Sequence, residues 1–221
     1  MKNLKKTSLL LATALVILLA GSDMVKAQTE VSTSVDLYST YVWRGVAYSG
    51  PSWQPGIEVS NGGFAIGAWG SQGYDGFQEM DLYAGYSFDF GLSLGITDYF
   101  YPSTSTGASG PFLDGDSHAF ELNLGYGMDA FSFSANYIAG GSGSVGDDIY
   151  FEAGYSLDQA DLFIGAGDGW HSSDTEFAVV NIGIGTSKEI VITDSFSLPV
   201  SGAVILNPDT EDLYILFGFS F

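Results

Sequence analysis

Side chains along most of this chain alternate between two kinds, and no charge interrupts the apolar kind within the central part of any run. A period of two belongs to strands with unlike faces. The stretch LYILFGFSF (213–221) shows it plainly. Leu213, Ile215, Phe217, Phe219 and Phe221 share one parity, and Tyr214, Leu216, Gly218 and Ser220 share the other. Strands are predicted at 31–44, 52–60, 64–71, 77–88, 92–101, 118–127, 131–139, 148–157, 161–168, 176–186, 196–206 and 212–221. That is about twelve strands, and no stretch reads as a helix.

The apolar parity carries Val31, Val35, Leu37, Tyr41 and Trp43, then Trp53, Ile57 and Val59, and later Leu122, Leu124, Phe131, Phe133, Val180, Ile182 and Ile184. The other parity is small or polar, with Gly67, Gly85, Gly125, Gly165, Ser93, Ser134, Asp36 and Asp161 among its members. Alternation alone leaves open which face is inside. A soluble barrel would turn glycine and serine to water with almost no lysine guarding its surface. A membrane barrel turns the apolar face to lipid, where a midplane charge would cost about 2–4 kcal/mol. Glycine then makes room in a crowded lumen. Aromatic residues near predicted strand ends, among them Tyr41, Trp43, Trp53, Tyr86, Phe88 and Tyr126, read as interfacial girdles.

The connections support the same fold. Asn61-Gly62-Gly63, Asp89-Phe90-Gly91, Gly127-Met128-Asp129-Ala130 and Asp158-Gln159-Ala160 are tight-turn sequences. Between them lie longer Gly/Ser/Asp-rich links at 102–117 and 140–148, with one exceptional longer link near 188–195. Short turns at one end and long loops at the other predict an all-β, transmembrane, up-and-down antiparallel barrel. Its last strand, ending at Phe221, resembles the sorting signal read by the outer-membrane assembly machinery.

Lys2, Lys5 and Lys6 precede an apolar run, and Val25-Lys26-Ala27 resembles a signal-peptidase site. Residues 1–27 are therefore expected to be a cleaved signal peptide and 28–221 the barrel, exported to a Gram-negative outer membrane. Removing Asp23, Lys2, Lys5, Lys6 and Lys26 leaves 25 acidic residues against Arg44 and Lys188, a net charge of −23. Such a surface excludes a nucleic-acid partner and favours small cations. With no cysteine, stability must come from packing and ladder hydrogen bonds. No cofactor motif is present, since no helix follows the glycine-rich stretches.

Six charged residues on the inward parity are expected to line the pore: Arg44, Glu58, Glu79, Asp81, Glu121 and Glu152. Arg44 either forms a constriction balanced by Glu79 or Asp81 or pins the first hairpin through an ion pair. A single inward arginine cannot pair all these carboxylates, and a hydrated lumen removes the cost of burying the rest. The function this implies is passive diffusion of ions or small polar solutes with a cation preference. The alternative is a non-conducting structural or adhesive barrel. His171, Ser173, Asp174 and Asn181 invite an esterase reading, but nucleophilic catalysis needs base and hydroxyl in contact. His171 and His118 read instead as solvated loop histidines, and the chain as non-enzymatic. Asp114, Asp116, Asp147, Asp148, Asp168 and Asp174 lack the ligand spacing of a calcium loop and read as a solvated acidic rim.

The segment STSVDLYSTYVWRGVAYSGPSWQPGIEVSNGGFAIGAWGS (32–71) resembles the start of a bacterial family of small outer-membrane proteins assigned as porins. The likeness lies in the aromatic-Arg-Gly step Trp43-Arg44-Gly45, the return strand from Pro51 to Val59, and the Gly-aromatic strand near 62–71. It implies an outer-membrane barrel and a porin-like role, with outer-membrane lipids as surroundings.

Overall fold

The computed structural model describes residues 28–221. The expected signal peptide lies outside them. The strands are β1 (Glu30–Tyr38), β2 (Tyr41–Trp43), β3 (Val46–Ser49), β4 (Ser52–Asn61), β5 (Phe64–Gly73), β6 (Gln78–Ser87), β7 (Leu92–Phe100), β8 (His118–Met128), β9 (Phe131–Gly141), β10 (Asp148–Ser156), β11 (Asp161–Gly167), β12 (Ala178–Thr193), β13 (Phe196–Asn207) and β14 (Asp212–Ser220). Twelve of them, β1 and β4–β14, close one antiparallel barrel. Neighbours in sequence pair in space, apart from the jump from β1 to β4 and the closure of β1 on β14. The seam registers Asp36 with Ser220, Leu37 with Phe219 and Tyr38 with Gly218. Reciprocal bonds between Val35 and Phe221 at 3.0 and 3.1 Å extend it.

The apolar parity faces outward, as expected of a membrane barrel. Ile57, Ile66, Leu122, Phe133, Ile184 and Phe217 are exposed on the outer wall, and Ile215 reaches 72%. On the last strand, the opposite face puts Gly218 directly beneath the ring of Tyr38. Glycine makes room for inward rings elsewhere too. A Cβ on Gly165 would stand 2.0 Å from the Tyr150 hydroxyl. That close approach is available to glycine alone.

Three departures from the sequence reading shape the interior. The first predicted strand, 31–44, is two elements. β1 stops at Tyr38, and β2 and β3 form a separate two-stranded hairpin. That hairpin folds into the barrel mouth, so Tyr41 is buried among rings rather than sitting in a lipid girdle. Secondly, the predicted link near 188–195 is strand as far as Thr193, because β12 and β13 continue in register to Thr193 and Phe196. The connection there is a tight turn, like the others at that end. Thirdly, Val180 is fully buried instead of lipid-facing. The β11–β12 register jumps from Gly165 opposite Asn181 to Ala166 opposite Val179, and Val180 is the extra residue of this bulge.

Candidate functional site

The hairpin places Arg44 at its tip, and the tip is built for close approach. Arg44 and Gly45 both take positive φ, 51° and 80°. A Cβ on Gly45 would stand 1.8 Å from the Val180 carbonyl oxygen, so the tip rests on the β12 bulge with no room for a side chain. The Asn207 side-chain amide donates to the Gly45 carbonyl at 3.0 Å. These contacts hold the tip from the far wall.

Arg44 then reaches β8. Its Nη1 and Nη2 donate to Glu121 Oε1 and Oε2 at 2.6 and 3.0 Å, a bidentate pair. The guanidinium carbon lies 4.3 Å from the Trp43 ring centre and 4.4 Å from that of Tyr150. Stacking between rings suits this planar, weakly hydrated cation. Glu121 is 0% exposed and also accepts from the Tyr99 hydroxyl at 2.8 Å and Asn123 Nδ2 at 2.6 Å. Its charge is therefore fully answered by one cation and two neutral donors.

Aromatic rings close the layer around this pair. Tyr41, Phe77 and Tyr101 form one cluster, with Trp43, Tyr48, Trp69 and Trp170 packed against it. Trp43 contacts Tyr99 and Trp170 edge-on, at centroid separations of 5.5 and 6.0 Å. Toward the tight-turn end the lumen is more open. A cavity of about 250 Å³ lies against Gly85, Ser93, Gly95, Thr97 and Asn123. A second of about 240 Å³ lies against Ser32, Ser34, Gly56 and Glu58. The result is a barrel with an aromatic layer around the hairpin at its loop end and cavities below.

The family model described as "Bacterial protein of unknown function (Gcw_chp)" matches residues 23–196. The chain belongs to this family. The family's description carries no porin assignment. No curated protein matches the chain. Similar solved structures include one described as "Asymmetric conductivity of engineered proteins", at 15% identity over 81% of this chain and 63% of that one, with a TM-score of 0.44. Two are mutants of the Rh. blastica porin. One is 14% identical over 77% of this chain and 55% of that one, TM-score 0.43; the other is 13% identical over 91% and 80%, TM-score 0.45. The chain thus spans under two thirds of the first two structures. The barrel itself is established by the chain's own strand pairing.

In this family member, the six residues expected in the lumen divide into three groups. Arg44 and Glu121 meet in an ion pair, with Glu121 as partner rather than Glu79 or Asp81. Glu152 accepts from the Tyr150 hydroxyl at 2.5 Å and from Asn181 Nδ2 at 2.9 Å, beside the Arg44 layer. Glu58 stands apart near the lower cavity and accepts from the Tyr83 hydroxyl at 3.1 Å. Glu79 and Asp81 are buried on β6 and make no pair with Arg44.

Both histidines depart from the solvated-loop expectation. His171 is buried, its Nε2 3.5 Å from Arg44 Nη1 and its ring against Trp43 and Tyr150. It sits in a short 3-10 turn between β11 and β12, outside the spanning strands. Burial, with the neighbouring guanidinium as a second cause, pushes its pKa down to about 3. Ser173 is exposed and uses its backbone N–H on Asp209, while Asn181 bonds Tyr150 and Glu152, so the suspected triad does not assemble. His118 is buried at the start of β8 between Phe100 and Phe112, and Nδ1 meets Asp98 at 2.9 Å. Its Nε2 meets the Phe112 carbonyl at 2.6 Å. Asp148, expected in the acidic rim, is buried as well.

Proposed function

We propose that this protein is an outer-membrane channel for passive diffusion of small cations and small polar solutes, narrowed at its loop end by the β2–β3 hairpin. The observation that carries the reading is the sorting of side chains on a closed barrel: apolar outside, and glycine, hydroxyl, amide and carboxylate inside. Such a wall suits hydrocarbon on one side and water on the other. A net charge of −23 outside the expected signal peptide supports cation preference by raising local cation concentration. On this reading, residues 1–27 direct export, and the β14 strand is offered to the barrel-assembly machinery.

The aromatic layer around the hairpin favours a second reading, a barrel that does not conduct. The reversal potential of refolded protein in a planar bilayer under a KCl gradient separates the two. The channel reading expects discrete steps with cation selectivity that weakens in Glu58→Gln and Glu152→Gln. A silent bilayer from demonstrably folded barrel overturns it and leaves the non-conducting one.

A further inference from the structure

Two lumen carboxylates take no part in the Arg44 network. Glu79 and Asp81 stand two residues apart on β6 and so share its inward face. Ser71 stands directly opposite Glu79 on β5. All three are more than nine-tenths buried, with relative exposures of 6%, 8% and 5%. Glu79 Oε2, Asp81 Oδ1 and Ser71 Oγ have no hydrogen-bond partner among the described residues. Tyr101 reaches only the other Glu79 oxygen, at 3.4 Å, and Tyr41 of the hairpin lies against the same carboxylate.

Among the described residues no basic side chain pairs with these charges. Arg44 is committed to Glu121, and Lys188 is exposed on β12. Neighbouring carboxylates in a dry layer must be neutralised, either by a proton or by a cation. Ser71 favours the cation. A shared proton would serve the two carboxyl groups and leave the serine oxygen idle, whereas a hard cation takes hydroxyl and carboxylate oxygens together.

We propose that Ser71, Glu79 and Asp81 bind a calcium-like divalent cation in the barrel wall behind the hairpin. Two positive charges match two negative ones. The dry, irregular oxygen set suits calcium better than magnesium, which keeps its waters and demands an octahedron. Among the described residues no cluster of three or more His, Cys, Asp or Glu is placed to hold a metal, so the Ser71 hydroxyl has to complete this site beside two carboxylates. Through Tyr41, the ion would tie the β5–β6 wall to the hairpin. The site requires a folded barrel and not a conducting one, so it stands apart from the channel reading.

The test is the thermal unfolding midpoint of refolded protein in detergent, stripped with chelator and titrated with CaCl2 or MgCl2. A ligand that binds only the folded state raises the midpoint with concentration. Calcium is expected to raise it saturably and magnesium to do so only at much higher concentration. The rise should vanish in Glu79→Gln/Asp81→Asn, need more calcium in Ser71→Ala, and persist in the loop variant Asp114→Asn/Asp116→Asn. A flat native titration overturns the proposal and leaves a shared proton. An undiminished rise in Glu79→Gln/Asp81→Asn overturns it in favour of surface acids. Should that double variant fail to fold, an unchanged half-saturating calcium concentration in Ser71→Ala overturns it equally.

Discussion

Arg44 and Glu121, 77 residues apart in sequence, form a bidentate ion pair at 2.6 and 3.0 Å inside the barrel. The pair joins the inserted hairpin to β8, and breaking it from one side leaves the other charge stranded. Arg44→Ala is expected to destabilise the folded state by about 3–5 kcal/mol. Denaturant unfolding in detergent, followed by tryptophan fluorescence, measures this. The Arg44→Met/Glu121→Gln double variant should recover much of the loss, because removing both charges leaves neither uncompensated.

Gly45 is predicted to be irreplaceable. Gly45→Ala places a methyl group against the Val180 carbonyl at a backbone φ of 80°. The left-handed conformation alone costs a non-glycine residue about 1–3 kcal/mol, and the clash adds to it. Gly107→Ala is the control, since Gly107 has a φ of 78° with nothing within 4 Å. Melting midpoints should fall further for Gly45→Ala than for Gly107→Ala; equal falls would mean that the tip does not rest on β12.

His171 makes stability depend on pH. Its folded pKa lies at about 3, against an ordinary value of 6.5. Between those values the unfolded chain takes up a proton that the folded chain refuses, so stability falls as pH drops through that window. His171→Gln is expected to flatten the slope from about pH 6.5 downward relative to the native chain. An unchanged slope would show that the carboxylates alone set it.

The ring of His118 pins the 102–117 loop through the Phe112 carbonyl while its other nitrogen meets Asp98. His118→Ala should free that loop without opening the barrel. Limited proteolysis is expected to cut within 102–117 in the variant well before it cuts the native chain. Equal resistance would mean that the edge-to-face contact of Phe112 with Phe100 holds the loop unaided.

The barrel was legible because period-two alternation and tight-turn residues act locally. The twelve strands follow from them, and the outward parity, with Asn181 on the lumen side, follows from the glycine and serine of the other face and its near lack of lysine. The hairpin was not legible, because Tyr41 and Trp43 alternate as girdle residues do. Only the third dimension shows that they face other rings rather than lipid. The partner of Arg44 was hidden for a related reason. Parity put Glu79, Asp81 and Glu121 on one face, but the depth of the inserted tip decides which carboxylate it meets. His171 and His118 looked solvated because Gly, Ser and Asp surround them in sequence, while their burial comes from rings elsewhere in the chain. Val180 fell on the wrong face because a bulge shifts parity without leaving a sequence mark.

The central claim is that a conducting lumen lies behind the hairpin. Single-channel recording of Arg44→Gln beside the native protein, both refolded and with barrel content verified by circular dichroism, tests it most directly. The account predicts cation-selective steps in the native protein and larger or longer openings once the Arg44–Glu121 bond is lost. Silence from both folded proteins would contradict it.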